Sequence, residues 1–341
     1  MSRLDYSVVI PIGQITESIK SLESLTRLPA AERPKKILVC VGKNPSLQRN
    51  LGLELCKSPL VYFLDEDSWV IPGTPTRLAA QFEGERTAAA GGPNLPYPDA
   101  TPFEKTASSI LASWMGSFKV RNRYASIGSI KEATEKDLIL CNLMVRREIF
   151  QELRGFRPNL YPNEENEFLN RLLHSGYQLI YDPAAAVYRP RRKNVWEFCY
   201  QAFRYGQGRA RQMKVYPCLS DLVHLVPAFF VFYVLSLGFS LSPFPAPFLH
   251  SWLWWTPLEL FAALCLGTAV AALSWHRNPA DLAAVPFLIF FRQFFYGVGL
   301  MAGLVLPTPL KNAAGVESYE VEIGRGTYRL RPAARARKKK K

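Results

Sequence analysis

Leu60-Val61-Tyr62-Phe63-Leu64-Asp65-Glu66-Asp67 is the stretch on which the fold turns. Five apolar residues, rich in β-branched and aromatic types, read as a strand buried on both faces, and the run ends abruptly on three acids. Strands of this kind belong inside a mainly parallel sheet covered by helices on both sides. In such sheets ligands bind beyond the carboxyl ends of the strands, which is where the acids fall. Asp65 and Asp67 project to the same side of an extended chain. Side by side they repel unless a divalent cation sits between them. Mg²⁺ commonly takes one or two protein carboxylates and completes its shell with phosphate and water. The triplet therefore reads either as a metal site or as a solvated acidic turn.

The surrounding sequence repeats the strand-helix alternation. Residues 6–12 (YSVVIPI) and 36–42 (KILVCVG) read as strands. Ile15, Ile19, Leu22 and Leu25 recur at helical spacing, and 47–55 forms a short helix. Further strands are expected at 87–92, 138–145 and 178–182, with a polar, flexible-looking stretch between the first two. The pattern predicts an α/β fold with right-handed crossovers and a mainly parallel sheet. Gly91-Gly92-Pro93-Asn94 reads as a turn or as a place where a ligand approaches the backbone.

A helix is expected over 164–174. Phe168, Leu169, Leu172 and Leu173 form its inward stripe at about 100° per residue, with Glu165 near the centre and Glu164 and Glu167 to one side. An acid aimed at an apolar face is either held by backbone N–H groups or used for chemistry. Glu167 reads as an N-terminal charge paired with Arg171 one turn on.

The 341 residues carry a net charge of +14, which points to a polyanionic partner. No zinc-finger spacing or RNA-binding signature is present, so a membrane surface is expected rather than nucleic acid. Arg189, Arg191, Arg192, Lys193, Arg204, Arg209, Arg211 and Lys214 precede three apolar stretches, 222–241, 252–273 and 282–306; a second basic cluster spans 325–341. Each apolar stretch reaches the roughly 20 residues of a membrane crossing, although Glu259 and Arg292 inside them need polar partners. Basic flanks favour the cytoplasmic side for both clusters, yet three crossings would separate them. Either 282–306 is re-entrant or in-plane, or the tail breaks the rule. The six scattered cysteines form no CxxC or Cys/His cluster and read as buried thiols of a reducing compartment. The first residues lack the basic-then-apolar pattern of a secretory signal.

SVVIP (7–11), QRNLG (48–52), YFLDEDSWVIPG (62–73), CNLMVRREIF (141–150), Gly155-Phe156 and NEENEFLNRLLHSGY (163–177) occur in an order that resembles the inverting family 2 glycosyltransferases. Cellulose, hyaluronan and dolichyl-phosphate sugar synthases typify that family. The resemblance spans roughly residues 5–212. It implies a GT-A nucleotide-sugar-binding fold followed by transmembrane helices, with a DxD motif at Asp65 and Asp67 holding Mg²⁺ or Mn²⁺ against the donor diphosphate. It places Pro11, Arg49, Asn50 and Asn142 with them around the nucleotide-sugar, although Arg49 also reads as a surface charge and Asn50 as a polar residue bonded to backbone. The family's catalytic Asp, second of an acidic pair opening a helix, corresponds to Glu165, with Glu164 beside the acceptor. Gln201-Ala202-Phe203-Arg204-Tyr205 resembles the family's QxxRW motif with Tyr for Trp. It implies Arg204 on the diphosphate and Gln201 and Tyr205 at the acceptor, or else an interfacial helix meeting lipid phosphates. The family's Asn-Glu pair and base-recognising Asp have no counterpart in Pro11-Ile12-Gly13-Gln14 or in residues 39–43.

These readings predict a nucleotide-sugar domain over 1–215 ending in an interfacial helix, a membrane region over 216–310 and a basic tail over 311–341. The expected protein is a multi-pass protein of the inner (plasma) membrane with its catalytic domain in the cytoplasm. It would pass a sugar to a lipid-linked or glycan acceptor in polysaccharide or glycolipid synthesis. Two alternatives are a polyprenyl-phosphate sugar synthase and a non-catalytic, nucleotide-sugar-binding assembly subunit.

Overall fold

The computed structural model describes residues 4–161, 163–215, 217, 219–240, 252–276, 278–306, 315–324 and 327–333. It divides into a sheet unit (1–97, 122–190 and 310–341) and a helical unit (98–121 and 191–309). In chain order the strands are β1 (Tyr6–Ile12), β2 (Lys36–Val41), β3 (Leu60–Leu64), β4 (Trp69–Val70), β5 (Thr87–Gly91), β6 (Asn94–Leu95), β7 (Lys131–Glu132), β8 (Asn142–Arg146), β9 (Gln178–Tyr181), β10 (Val187–Tyr188), β11 (Glu317–Ile323) and β12 (Tyr328–Pro332). The helices are α1 (Lys20–Thr26), α2 (Pro45–Glu54), α3 (Thr74–Ala80), α4 (Pro102–Ala112), α5 (Trp114–Ser117), α6 (Arg147–Glu152), α7 (Glu164–His174), α8 (Val195–Val215), α9 (Val226–Ser240), α10 (Trp252–His276) and α11 (Asp281–Val305).

The main sheet runs β12-β11-β2-β1-β3-β8-β5-β9-β7. Its heart is parallel: β1 pairs with β2 and β3, and β5 pairs with β9. Returning to the sheet from the opposite end, β8 is antiparallel to both β3 and β5. All seven residues of β1 are buried, as expected of a central strand with helices on both faces. One apolar cluster gathers Val9, Leu38, Phe63, Phe150, Phe156 and Phe168; the other gathers Tyr6, Ile10, Leu22, Val39, Tyr62 and Met144. Alternate residues of one strand thus enter opposite cores. Asn44 caps α2 by accepting from the amides of Ser46 and Leu47, and Pro45 occupies the first turn where no amide is needed.

Part of the expected basic tail is not a tail. β11 pairs antiparallel with β2, and β12 returns along β11. The hairpin was hidden by its charge, because glutamates alternate with Tyr319, Val321 and Ile323, the apolar side chains that pack on the core. The Tyr328 hydroxyl accepts from the Ile19 amide at 3.1 Å, tying the hairpin to the start of α1. Pairing also covers the β2 edge, which would otherwise present unpaired backbone. The remainder of the basic cluster, Arg325 and 334–341, lies outside the described residues.

The stretch expected to be polar and flexible, between the strands at 87 and 142, holds two helices, α4 and α5. Their core contacts are to helices far along the chain, so local composition could not announce them. Within the helical unit, Thr106 of α4 donates to Asp281 at 2.5 Å, Arg292 Nε donates to the Gly116 carbonyl at 2.7 Å, and Gln293 donates to the Met115 carbonyl at 2.6 Å. The Arg292 guanidinium also lies 5.8 Å from the Phe198 ring centroid. Arg292 has the polar partners the sequence demanded; Glu259 is exposed. α8 and α11 meet through glycines: a Cβ on Gly206 would lie 2.2 Å from the Tyr296 carbonyl oxygen, and one on Gly299 would lie 2.1 Å from that of Phe203. Of the three apolar stretches, Trp252–Ser274 and Asp281–Val305 form helices long enough to cross a bilayer, whereas Leu222–Gly238 is a shorter apolar helix. Leu241, the last residue expected in the first stretch, lies outside the described residues.

Candidate active site

β3 ends at Leu64, and the chain turns at once through Asp65, Glu66 and Asp67, with the Ser68 amide bonded to the Asp65 carbonyl at 3.1 Å. This turn leaves both aspartates at the carboxyl end of the parallel strands. Two arginines from other elements converge on them. Arg49, on α2, donates from Nη2 to Asp65 at 2.6 Å and from Nη1 to Glu164 at 3.1 Å. Arg189, directly after β10, reaches Asp65 at 3.0 Å and Asp67 at 2.9 Å. The Arg189 guanidinium therefore bridges the two aspartates, and Arg49 links Asp65 to the start of α7. The Tyr97 hydroxyl donates to the Asp67 carbonyl at 3.3 Å.

The acids differ in environment. Burial pushes the Asp65 carboxyl up, but Arg189 and Arg49 outweigh it and hold it below the usual carboxylate range. Partial burial, with the Asp67 and Asp65 charges beside it, pushes Glu66 up. Burial pushes Glu164 up to about 7 against the pull of Arg49, and Glu165 adds to the rise. Among the described residues, Glu164 Oε2 and Arg49 Nε are buried with no hydrogen-bond partner, so this pair keeps unused polar capacity at the site. Glu165 is also raised, chiefly by burial, while Arg123 and Arg49 pull it down. Arg123 Nη1 holds Glu165 at 3.2 Å, and the same guanidinium donates to Asn166 and to the Lys136 carbonyl.

The helix start departs from its periodicity. Glu165 was expected at the centre of the buried stripe, yet its side chain is 15% exposed and that of Glu164 only 2%. A helical wheel describes one helix against one sheet. Here the first turn is also covered from elsewhere in the chain: Arg49 encloses Glu164, while Arg123 pairs with Glu165 and leaves it partly exposed. Glu167 behaves as expected: Arg171 pairs with it at 2.8 Å one turn on.

Several expected ligand contacts are engaged in the scaffold instead. Asn50 donates to the Phe156 carbonyl at 2.8 Å and accepts from the Phe156 amide at 2.9 Å, fastening α2 to the Gly155 turn. A side chain on Gly155 (φ 62°) would collide with Asn50 itself. Asn142 is fully buried; it donates to the Pro93 and Ala185 carbonyls and accepts from the Tyr62 hydroxyl at 2.6 Å. Both Nδ2 hydrogens of Asn142 are thus spent on backbone carbonyls. Pro11 lies buried in β1, just past the last β1–β3 pair, Val9 with Phe63. The Gly91-Gly92 pair serves close backbone packing: a Cβ on Gly92 would lie 2.1 Å from the Ala185 carbonyl oxygen.

Gln201, Arg204 and Tyr205 lie on α8 in the helical unit, where Gln201 Nε2 is 3.1 Å from the Tyr205 hydroxyl. Arg204 and Arg211 are two turns apart on one face; burial, and then the Arg204 charge, lower the Arg211 pKa. Two residues of the cluster escaped the sequence reading. Arg189 was counted with the membrane-facing basic residues, although its place at a strand end, like that of Asp65, was a usable signal. Arg123 sits in a stretch with no periodicity and left none.

Among the described residues no group of three or more His, Cys, Asp and Glu side chains is placed to hold a metal. The two aspartates nevertheless match the donor set of a cation that takes its other ligands from phosphate and water. The Arg189 guanidinium lies where the two carboxylates converge, so a cation bound between them would take its place.

A parallel-centred α/β sheet with paired aspartates at a strand end, faced by arginines, defines a GT-A nucleotide-sugar fold. The fold is similar to that of the mannosyltransferase PcManGT from Pyrobaculum calidifontis, solved with GDP-Man and Mn²⁺: 12% identity, TM-score 0.57, covering 88% of this chain and 87% of that one. At that identity the likeness speaks for the fold alone. Residues 60–296 match the model of glycosyl transferase family group 2, and the chain belongs to that family. It is also 28% identical over 189 residues to the succinoglycan biosynthesis protein ExoA of Rhizobium meliloti (strain 1021), a match covering 55% of this chain and about half (53%) of that protein.

Proposed function

We propose that this chain transfers a sugar, with inversion, from a nucleotide-sugar to a membrane-associated, lipid-linked acceptor in cell-surface polysaccharide or glycolipid synthesis. The observation that carries the proposal is the convergence of Asp65, Asp67, Arg49, Arg189, Glu164 and Glu165 at the carboxyl end of β3. The relative named for succinoglycan biosynthesis supports the polysaccharide setting.

Asp65 and Asp67 would hold Mg²⁺ or Mn²⁺, which would supply Lewis-acid neutralisation of the leaving diphosphate. Arg49 and Arg189 form the cationic wall facing that diphosphate; planar guanidinium groups suit paired phosphate oxygens. Glu165 takes the proton from the acceptor hydroxyl as that oxygen attacks the anomeric carbon and the sugar–phosphate bond breaks. Its partial exposure lets an acceptor reach it, and its raised pKa makes it a better base, a role worth ~10²–10⁴-fold. Glu164, almost wholly enclosed, positions Arg49. Gln201, Arg204 and Tyr205 keep the acceptor and leaving-group roles that the family resemblance implies.

Calorimetry of the full-length protein in detergent, titrated with nucleoside diphosphates with and without Mn²⁺, tests the donor half. Binding that requires the metal and is lost in Asp65→Asn supports the proposal; equal binding without metal overturns the cation's part. For the base, Glu165→Gln should abolish transfer to a hydroxyl acceptor while leaving diphosphate binding in place. Retained turnover would point instead to a phosphate acceptor, which needs no strong base.

A further inference from the structure

Arg189 holds both site aspartates with one guanidinium. Its Nη2 lies 3.0 Å from Asp65 Oδ2 and its Nε 2.9 Å from Asp67 Oδ1. The other Asp65 oxygen is taken by Arg49. A planar fork suits two carboxylate oxygens at once, and its charge relieves the repulsion between the aspartates. The ground between Asp65 and Asp67 thus has an occupant from the chain itself, and it is the ground a divalent cation would need.

The two arginines are held differently. Arg49 is 6% exposed and is fastened through two nitrogens, one on Asp65 and one on Glu164. Arg189 is 28% exposed. Its backbone is fixed: Tyr188 pairs with Trp69 of β4 and with Leu95 of β6, and the Arg189 amide donates to the Leu95 carbonyl at 2.8 Å. The acidic turn leads directly into β4, so one small sheet sets the place of the aspartates and of the arginine. What remains movable is the Arg189 side chain, a long arm on an anchored base.

Two positive groups cannot share the space between the carboxylates. A cation entering alone must turn the guanidinium out into water, and its apparent affinity falls with the fraction of molecules in which Arg189 is disengaged. A nucleoside diphosphate changes that balance. Its phosphate oxygens offer the released guanidinium a second anionic partner of matching geometry. They also complete the shell of a cation held by two carboxylates.

We propose that Arg189 is a displaceable counter-cation of the acid pair: it bridges Asp65 and Asp67 in the donor-free protein and moves onto the diphosphate when a divalent cation and the nucleotide arrive together. In this role, which rests on the metal-dependent reading above, Arg189 suppresses capture of metal alone and strengthens capture of metal with diphosphate. Each ligand then raises the affinity for the other by the same factor. Arg49, pinned at both nitrogens, stays as the fixed part of the cationic wall.

Mn²⁺ binding to the full-length protein in detergent is measured first without nucleotide, from the loss of the free-ion EPR signal. Arg189→Gln is expected to bind Mn²⁺ ~10-fold or more tightly than wild type, and adding Asp67→Asn should cancel the gain. Lys57→Gln removes an exposed charge before β3, at the end away from the acids, and should match wild type. Calorimetry with UDP, GDP, CDP, ADP and dTDP, each with and without Mn²⁺, then reads the coupling. The factor by which Mn²⁺ tightens nucleotide binding should shrink ~10-fold or more in Arg189→Gln. Arg189→Lys keeps the charge and loses the fork; it should also gain Mn²⁺ affinity, and it becomes the deciding variant if Arg189→Gln does not melt cooperatively. Unchanged or weaker Mn²⁺ affinity in the deciding variant overturns the inference, and the metal-dependent reading survives if wild type still binds nucleotide more tightly with Mn²⁺. Nucleotide binding by wild type that ignores Mn²⁺ overturns both.

Discussion

Arg49, in the middle of α2, lies 2.6 Å from Asp65 at the tip of β3, and its side chain is only 6% exposed. The pairing joins the α2 crossover to the acidic turn, and the second nitrogen of the same guanidinium carries the connection on to Glu164. Replacing one partner of a buried ionic network leaves the others charged and unpaired. Arg49→Met is expected to lower unfolding free energy by about 3–5 kcal/mol and to raise the Glu164 pKa further. Denaturant or thermal unfolding in detergent measures the loss; a change below about 1 kcal/mol, the size of an exposed ion pair, would refute the buried role.

Asp65 and Asp67 should separate in their effects. Among the described residues, Asp65 pairs with two arginines and Asp67 with Arg189 alone. Both Asp65→Asn and Asp67→Asn should weaken metal-dependent nucleoside diphosphate binding by more than ~10-fold, about 1.4 kcal/mol. Only Asp65→Asn should also lower the melting temperature of the ligand-free protein. Paired calorimetry and thermal melts on the two variants decide it.

Glu164 sets a direction for stability against pH. Its folded pKa, pushed up by burial to about 7, lies above the ordinary 4.5. Between those values the folded chain holds a proton that the unfolded chain has released. Stability from this group therefore falls as pH rises through 4.5 to 7, and the full penalty stands above 7. Glu164→Gln should flatten that part of the curve, because Arg49 keeps Asp65 as its partner. Melting temperatures from pH 4.5 to 8 for both proteins provide the comparison; parallel curves would show that Glu164 does not titrate in this range.

Asn142 offers a contrast between scaffold and ligand roles. Asn142→Leu strands the Tyr62 hydroxyl and two carbonyls, at a cost of about 1–3 kcal/mol for each group left unpaired. The folded fraction should bind nucleoside diphosphate with unchanged affinity. A selective loss of affinity at unchanged melting temperature would return Asn142 to the donor site.

The strand-helix alternation of the first 65 residues was legible because a buried parallel strand must be apolar on both faces, and β1, β2 and β3 all are. The acids at the end of β3 were legible for the complementary reason: charges that interrupt such a run can only sit at its rim. The β11–β12 hairpin was overlooked because its glutamates and arginines dominated the composition, while the alternating Tyr319, Val321 and Ile323 were the informative residues. Asn50 and Asn142 were ambiguous in the sequence because an amide in a motif looks the same whether it meets a ligand or a carbonyl.

Local periodicity and the abrupt change from apolar to acidic thus determined, from the sequence alone, the sheet class, the place of Asp65 and Asp67 and the presence of lipid-fitting helices. Tertiary structure alone decided that Arg49, Arg123 and Arg189, drawn from three distant segments, converge on four carboxylates. It also decided that the segment after the apolar helices returns to pair with β2. The reason is common to both: an ion pair or a strand ladder joins residues remote in the chain, and neither leaves a repeat within a single segment. The pairing of Glu317–Glu320 with Leu38–Val41 is a case in point: no residue of either segment announces the other.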